Sequence, residues 1–332
     1  KVAVYHRESP MYMGGGETVC IQTLEALKKD YDVTLLTVGG KLNFPELNNY
    51  FGTNLERDEI DVRFIDPHLI GVLDSFFQSV ASSSKLNTEF TRLRMALLDW
   101  SVSKIKEEFE LLISTQGESS LCGKTLDYVH FPFDRDTAEK LNPGLERSSE
   151  IPLYSLYNRI VSLVEPCSTA DCTVKTTLVN SFWTKGLVQE AYNLDVKVLY
   201  PPVRTGDFNP SPWNEKETGF ISVGRISREK KLLRSMEIID DLRDEYDVHL
   251  HVIGDIKDDE YGEMVRKKAQ RNKAIHVEGA VPRKRLIKLI EGHKFGIHGM
   301  DAEHFGIAVA EMVAGGCIPF VPDDGGQVEI VE

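Results

Sequence analysis

Short apolar runs alternate with amphipathic stretches along the second half of the chain. The run 219–223 predicts a buried strand, and apolar residues recur at helical spacing over 229–246. Downstream the pattern predicts strands at 248–254, 274–277, 295–298 and 317–321, helices at 258–271, 283–292 and 305–314, and a helix start at 326. This alternation predicts a parallel sheet with helices on both faces.

The first half begins in the same way, with a strand at 2–5, a glycine loop, a helix at 17–29 and a strand at 33–38. Further strands are predicted at 111–114, 128–130 and 176–181, and a helix at 151–164. Pro201 and Pro202 exclude a helix and favour an extended linker. The pattern therefore predicts an α/β protein with two Rossmann-like, doubly wound domains, residues 1–199 and 200–332, facing a cleft.

The segment 69–100 fits neither pattern. It combines apolar clusters around 69–77 with a serine-rich turn and a second apolar stretch that ends at Trp100. The simpler interpretation is a pair of helices packed on the sheet. The alternative is an amphipathic surface that contacts a membrane or a lipid acceptor.

Composition narrows the class of protein. Hydrophobic residues make up 41% and charged residues 27% of the 332 residues, as in ordinary globular proteins. The net charge of −13 argues against nucleic-acid binding driven by phosphate neutralisation. No apolar window approaches the ~18 to 20 residues of a membrane span, and the first residues carry no signal-peptide pattern. The five cysteines are dispersed, and Cys167 and Cys172 have poor zinc spacing, so we expect reduced thiols in the cytoplasm.

The glycine loop Gly14-Gly15-Gly16 follows the first strand and opens the first helix. Glycines let backbone N–H groups approach a phosphate at a helix N-terminus, which predicts phosphate contacts at Gly15 and Gly16. A purely structural turn is the alternative. The loop is not GxGxxG, and no acidic ribose ligand follows the second strand, so an NAD-dependent oxidoreductase is disfavoured.

Five cations follow the first strand of the second domain: Arg225, Arg228, Lys230, Lys231 and Arg234. Ligands of open α/β sheets bind at that edge of the sheet, and Arg and Lys together neutralise a diphosphate. We predict this role for Arg225 and Lys230. The other three are expected to be solvated side chains of a first helical turn.

Two glutamates flank an apolar segment, Glu303 in a loop and Glu311 almost two turns along the following helix. The spacing predicts that Glu303 accepts hydroxyl hydrogens from a sugar and that Glu311 binds a ribose edge. The first N–H groups, at Phe305, Gly306 and Ile307, are predicted to face an anionic oxygen. An exposed charged helix is the alternative, and the apolar sequence between the glutamates disfavours it.

Histidines and a DxD sequence are the remaining candidates. His130 ends an apolar run and is expected at the ligand edge of the first sheet, although a structural role is equally open. Asp134 and Asp136 form a DxD pattern, but their position after a proline favours helix capping, and we reject a metal site there. His249 and His251 share one face of a strand, and the sequence indicates no further ligand beside them.

These elements together resemble glycosyltransferase family 4, retaining enzymes of the GT-B fold. Residues 223–230 match the family's GR…EK element, 303–311 match its E-x7-E motif, and 314–319 with 325–326 continue the likeness. Finer similarity points to the α-1,2-mannosyltransferase branch that extends lipid-linked oligosaccharides. It is carried by 14–17, 128–132, 179–184, 200–202 and 303–307.

The resemblance implies an enzyme that transfers mannose from GDP-mannose to a glycan or lipid-linked glycan with an α-linkage. It implies no cofactor and no metal, and a location in the cytoplasm with peripheral contact to the cytoplasmic face of a membrane through 69–100. Arg225, Lys230, Glu303 and His130 would serve the reacting centre. Met300-Asp301-Ala302 replaces the branch's Met-Trp-Asn, which leaves a UDP-sugar donor as an alternative. A non-catalytic nucleotide-sugar-binding protein is the second alternative, because a binding site alone does not establish transfer.

Overall fold

The computed structural model describes residues 1–39, 41–65, 91–132, 154–166, 175–257 and 259–332. The chain divides into an N-terminal unit, Lys1–Asn180 with Lys185–Leu199, and a C-terminal unit, Ser181–Thr184 with Tyr200–Glu332. The main division falls between Leu199 and Tyr200, next to the paired prolines. The segment Ser181–Thr184 groups with the C-terminal unit instead of the N-terminal one.

The N-terminal unit contains a seven-stranded parallel sheet of order β3-β2-β1-β4-β5-β6-β7. Its strands are β1 Val2–His6, β2 Val33–Thr37, β3 Ile60–Phe64, β4 Leu111–Ser114, β5 Thr125–Val129, β6 Lys175–Val179 and β7 Lys197–Val198. Its α-helices in the described ranges are Gly15–Leu27, Phe44–Phe51, Thr91–Ser103, Tyr154–Val164 and most of Phe182–Tyr192. All five residues of β1 are buried, which explains the continuous apolar run in the sequence.

The C-terminal unit contains a five-stranded parallel sheet of order β10-β9-β8-β11-β12. Its strands are β8 Glu217–Val223, β9 Leu250–Ile253, β10 Ile275–Gly279, β11 His293–Ile297 and β12 Ile318–Phe320. Its helices are Leu232–Leu242, Glu260–Arg271, Arg283–Gly292, Ile307–Ala314 and Val328–Val331. Neighbouring residues of β8 enter separate cores: Phe220 packs with Val252, whereas Ile221 packs with Ile290. Helices therefore cover both faces, as the sequence predicts.

Several elements were missed because their patterns are weak. Strand β3 is an edge strand whose Asp61 and Arg63 interrupt the apolar pattern. The helix Phe44–Phe51 has eight residues, Phe182–Tyr192 carries Gly186 in its interior, and β7 has only two residues.

The segment 69–100 is described only from residue 91 on. There the helix Thr91–Ser103 buries Leu93 and Leu98, which agrees with helix packing for this part. Residues 69–90 lie outside the described ranges. None of the described helices has the length and apolar character needed to cross a membrane.

The expectation of reduced thiols is wrong for one cysteine. Cys20 and Cys317 are free and buried, whereas Cys122 is disulfide-bonded. Widely spaced cysteines give no sequence signal for such pairing, because connectivity depends on which segments the fold brings together. Asp134 and Asp136 also lie outside the described residues.

A buried ion pair fixes the helix Thr91–Ser103 to the first strand. The Asp99 carboxylate contacts the Arg7 guanidinium at 3.3 Å and accepts hydrogen bonds from the Tyr5 hydroxyl at 3.0 Å and the Ser120 backbone N–H at 2.7 Å. Arg7 and Asp99 are each at most 3% exposed. Removing either partner would leave the other charge buried without compensation.

We therefore expect Asp99→Ala to lower the free energy of unfolding of the N-terminal unit by about 3 to 5 kcal/mol. Guanidinium denaturation followed by hydrogen exchange of the β1 amides measures this loss. Glu108→Ala is the matched control, because it breaks an exposed pair with Arg63, and such pairs contribute about 0 to 1 kcal/mol. Equal losses in the two variants would contradict the assignment.

Candidate active site

The strand order of each sheet defines a switch point, at which successive connections leave toward opposite faces. In the C-terminal unit the switch point lies between β8 and β11, and in the N-terminal unit between β1 and β4. Ligands of such sheets bind outside the carboxyl ends of the strands at this point. The predicted site residues Arg225 and Glu303 follow β8 and β11, respectively, so both leave the sheet at the switch point.

Lys230 and Glu303 meet directly. The Lys230 ammonium lies 2.5 Å from Glu303 Oε2, and His298 Nε2 lies 2.8 Å from the same oxygen. The Glu303 side chain is only 13% exposed and the His298 side chain 4%. Both contacts use Oε2, so Oε1 of Glu303 has no hydrogen-bond partner among the described residues.

The pKa of Glu303 follows from this arrangement. Burial favours the neutral carboxyl, but the hydrogen bond to His298 and the charge of Lys230 outweigh burial and hold the pKa well below its usual range. Glu303 is therefore an anion at neutral pH, and its second oxygen can accept hydrogen bonds from hydroxyl groups.

Arg225 is exposed and has no ion-pair partner within the described part of the chain. A close approach of two backbone segments shapes the loop that carries it. A Cβ on Gly254 would lie 1.8 Å from the Gly224 carbonyl oxygen, so only glycine fits there. The Lys230 turn is close-packed in a similar way, because a Cβ on Gly299 would lie 2.9 Å from the Lys230 carbonyl oxygen.

The other three cations of the cluster are paired on the surface. Arg228 contacts Glu260 at 2.5 Å, and Lys231 and Arg234 both pair with Asp301. The helix begins at Leu232 rather than at 229, because Arg228–Lys230 forms a separate 3-10 turn. Lys230 therefore lies in a tight turn before the helix, and not in the predicted first helical turn.

The helix of the second glutamate begins at Ile307, two residues later than predicted. Gly306 precedes it with φ +97°, a conformation that favours glycine and breaks the helical pattern there. No hydrogen bond engages the N–H groups of Phe305, Gly306 and Ile307 within the described ranges.

The loop before this helix rests on two glycines. Gly325 has φ +89°, and a Cβ on it would lie 2.5 Å from the Glu303 carbonyl oxygen. A Cβ on Gly326 would lie 2.2 Å from the His304 carbonyl oxygen. Ala302 adopts φ +51°, a left-handed conformation that glycine or asparagine would adopt at lower cost. The backbone of Glu303 and His304 therefore packs directly against the glycine pair.

Glu311 is held by an arginine that the sequence analysis missed. Arg283 Nη1 lies 2.5 Å from Glu311 Oε1, and Arg283 Nη2 lies 3.3 Å from Asp207 Oδ2. Burial raises the pKa of Glu311 and outweighs the opposing charge of Arg283. Oε2 of Glu311 has no hydrogen-bond partner among the described residues.

In the N-terminal unit, His130 follows β5 and lies beside the glycine loop. His130 Nε2 donates to the Thr115 carbonyl at 3.0 Å, and a Cβ on Gly16 would lie 3.8 Å from that nitrogen. Burial lowers the pKa of His130, so the imidazole is neutral and its Nδ1 carries the lone pair. The expected position at the ligand edge of the first sheet is thus observed.

Two further residues beside the loop were missed. His6 Nδ1 lies 2.9 Å from the Thr115 hydroxyl, and Glu17 accepts a hydrogen bond from the Gly14 N–H at 2.8 Å. Burial opposes the ionisation of Glu17, but its contact with His6 prevails and lowers its pKa. The position of His6 at the end of β1 is the sequence signal for its place at the switch point. His298 has the same signal at the end of β11.

The chain resembles known proteins in sequence and in fold. Residues 203–332 match the family model described as glycosyl transferases group 1. The chain is 22% identical over 240 residues to the GDP-Man:Man(3)GlcNAc(2)-PP-Dol alpha-1,2-mannosyltransferase of Dictyostelium discoideum, covering 61% of this chain and 46% of that protein. It is 26% identical over 240 residues to the Mus musculus protein of the same name, covering 61% and 47%. The chain thus spans about half the length of these curated relatives.

Solved structures give the fold. WaaG, a glycosyltransferase involved in lipopolysaccharide biosynthesis, superposes with a TM-score of 0.65 at 14% identity, over 99% of this chain and 83% of that chain. Anabaena HepE in complex with UDP-glucose superposes with a TM-score of 0.64 at 13% identity, over 100% and 83%. The chain has the GT-B fold of glycosyltransferases. The match to the glycosyl transferases group 1 model covers residues 203–332, which lie within the C-terminal unit.

The depressed pKa of Glu303 makes stability depend on pH. A carboxyl whose pKa is lower in the folded than in the unfolded protein, where it is about 4.3, stabilises the fold above that value and loses this contribution as the pH falls. We expect Glu303→Gln to lower the unfolding free energy of the C-terminal unit by a constant amount between pH 6 and pH 8. The difference should shrink below about pH 4.5.

Urea denaturation of both proteins across this pH range provides the measurement. Glu245→Gln, which changes an exposed acid in the same unit, is the control and should alter stability little at any pH. A Glu303→Gln difference that stays constant down to pH 3 would contradict the ionised, doubly contacted carboxylate.

Proposed function

We propose that this chain belongs to a retaining glycosyltransferase that moves mannose from GDP-mannose to a lipid-linked oligosaccharide. The observation that carries the proposal is the contact of Lys230 with an ionised Glu303 at the switch point of the C-terminal sheet. The curated relatives support the choice of mannose, since their names specify GDP-mannose and a dolichol-linked acceptor. They are longer proteins, so donor and acceptor are both part of the proposal.

The donor diphosphate binds to Arg225 and Lys230 in this proposal. Arg225 is exposed and lacks an ion-pair partner in the described ranges, so its guanidinium is available for two phosphate oxygens. Lys230 keeps its contact with Glu303 and offers its remaining N–H donors to the second phosphate. The N–H groups of Phe305, Gly306 and Ile307 add donors at the positive end of the helix.

The two glutamates hold the two sugars of the donor. Each has one oxygen bound to protein and one without a partner among the described residues: Oε1 in Glu303 and Oε2 in Glu311. Glu303 accepts hydroxyl hydrogens of the mannose, and Glu311 accepts those of the ribose. His298 and Arg283 orient the two carboxylates for these contacts.

The reaction breaks the bond between the sugar C1 and the β-phosphate oxygen, and forms a bond from C1 to an acceptor hydroxyl on the same face. The acceptor proton moves to the leaving phosphate, so the configuration is retained without a covalent enzyme nucleophile. Negative charge grows on the β-phosphate as the bond breaks. Lys230 and Arg225 stabilise this charge, which is the term expected to dominate the rate.

Within the N-terminal unit, His130 and the loop at Gly15 and Gly16 are the residues that we propose for contacts with a sugar or a phosphate. The neutral His130 imidazole keeps one nitrogen on the Thr115 carbonyl and presents a lone pair on the other, which can accept a hydrogen bond from the sugar. Gly16 leaves the space beside this ring unfilled. Exposed Gly15 offers its backbone N–H to the donor.

The acceptor places the reaction at a membrane surface, and we propose peripheral contact with the cytoplasmic face. Of the segment 69–100, Leu93 and Leu98 are buried and are not available to lipid. Any contact through this segment must therefore come from other residues within it.

Lys230→Met should lower mannose transfer about 10²- to 10³-fold, because removal of one preorganised charge at a developing anion has this effect. Arg228→Met is the matched control: it removes a cation two residues away that is paired on the surface with Glu260. The control should keep transfer within about twofold. Initial rates of mannose transfer and of slow GDP-mannose hydrolysis provide the measurement, and near-normal kcat in Lys230→Met would refute the leaving-group role.

The choice of donor is tested in the same assay. A preference for UDP-glucose or UDP-N-acetylglucosamine over GDP-mannose would retain the fold and the diphosphate site but refute the mannosyltransferase assignment. Tight donor binding without transfer or hydrolysis would favour a nucleotide-sugar-binding protein that is not an enzyme.

We also expect donor use to be independent of a divalent metal ion, because Arg225, Lys230 and the helix N-terminus supply the positive charge for the diphosphate. Transfer at 20 °C should stay within about twofold when EDTA replaces Mg²⁺ and Mn²⁺ in the assay. An absolute requirement for either ion would contradict this and direct attention to Asp134 and Asp136.

A further inference from the structure

A cluster of histidines lies at the opposite end of the C-terminal sheet from the donor site. His249 directly precedes β9, and His251 lies near its start; His276 lies near the start of β10, and His293 begins β11. Arg225 and Lys230 follow the carboxyl end of β8, whereas the histidines lie at its amino end. The length of β8 therefore separates the histidine cluster from the proposed donor site by about 20 Å. The cluster has no role in the proposed transfer.

The side chains of His249 and His293 come together although β8 lies between their strands. Strand β8 lies between β9 and β11, so a side chain on β8 would keep His249 and His293 apart. The residue there is Gly219, where a Cβ would lie 2.4 Å from His249 Nε2. Because this position has no side chain, the His249 imidazole crosses β8, and its Nε2 lies 3.2 Å from His293 Nε2.

Hydrogen bonds fix which nitrogen of each ring faces the cluster. His251 Nδ1 lies 2.9 Å from the Glu278 carboxylate, and His293 Nδ1 donates to the Leu289 carbonyl at 2.6 Å. In their neutral forms both rings therefore carry the lone pair on Nε2. Metal-binding histidines show this arrangement, with the second nitrogen donated to a carboxylate or a carbonyl.

The distances suit a tetrahedral ion. Ligand atoms of His249, His251 and His293 all lie within 4.8 Å of one another. Zn–N bonds of about 2.0 to 2.1 Å place the nitrogens of a tetrahedral site about 3.4 Å apart, close to the separation of His249 and His293. Glu217 Oε2 lies 3.3 Å from His249 Nε2.

We propose that His249, His251 and His293 bind one zinc-type divalent ion, with Glu217 or a water molecule as the fourth ligand. The ion would connect β8, β9 and β11 at their amino ends and act as a structural clamp on the sheet. Without metal, His249 Nε2 carries a proton and donates a hydrogen bond to His293 Nε2 or to Glu217 Oε2. The His249 and His251 side chains are 25% and 17% exposed, so the ion has a path from solvent.

The test uses the chain without a histidine tag, stripped of metal by a chelator and titrated with Zn²⁺ against a chromophoric competitor. We expect one Zn²⁺ per chain, a rise in Tm on zinc addition, and the visible spectrum of a tetrahedral site when Co²⁺ replaces Zn²⁺. His249→Ala and His293→Gln should each weaken zinc binding at least 100-fold. His276→Ala is the matched control. The exposed His276 ring stacks on His251, with the ring centroids 4.7 Å apart, but His276 is not one of the three proposed ligands.

Gly219→Ala provides a second test that keeps all three ligands. Its new methyl group occupies the space of the His249 ring, so zinc affinity should fall as in His249→Ala. Binding of GDP, measured in parallel, should be unchanged in His249→Ala and shows that the unit remains folded. Absence of stoichiometric zinc binding, or equal loss of affinity in His276→Ala, would overturn the proposal whether or not the chain binds GDP.

Discussion

The contact of the Glu303 carboxylate with Lys230 and His298 is the interaction on which the C-terminal site depends. Lys230 lies in the loop after β8, and His298 and Glu303 both lie after the end of β11, so one oxygen atom connects both sides of the switch point. A carboxylate this little exposed is stable as an anion only with such partners. Displacing either loop would leave a buried charge unpaired, and the fold therefore constrains both loops.

The same contact places a cation and a carboxylate oxygen together in the C-terminal site. Lys230 is held by Glu303, Arg225 is exposed and has no ion-pair partner among the described residues, and Glu303 keeps one oxygen without a described partner. Glu311 repeats this division, with Arg283 on one oxygen and the other without a described partner. Positive charge for phosphates and carboxylate oxygens for hydroxyls are what a nucleotide sugar requires. The carboxyl end of the sheet therefore carries the charged residues that we propose for the donor. At the amino end, the absence of a side chain at Gly219 leaves room for the His249 ring of the histidine cluster.

Many of the strands and helices and several site residues could be predicted, because regular apolar periodicity and short motifs indicate them. The alternating pattern of the second half gives every strand of the C-terminal sheet, and the helix Arg283–Gly292 has the predicted bounds. Contacts between distant positions were not predictable. Arg283 reaches Glu311 across 28 residues and His293 reaches His249 across 44, and no local pattern encodes either pair. The edge strand β3 was missed because its outward residues are charged, and the helix after Gly306 was started too early because φ is not readable from apolar spacing.

The central claim is that the switch point of the C-terminal sheet binds a nucleoside diphosphate through Arg225 and Lys230. Calorimetric comparison of GDP and GMP on the same chain tests it most directly, because the two ligands differ only in the second phosphate. We expect GDP to bind at least about tenfold more tightly than GMP, a difference of about 1.4 kcal/mol or more. In Arg225→Met and in Lys230→Met this preference should largely disappear. Equal affinities for GDP and GMP in the unmodified chain would contradict the account.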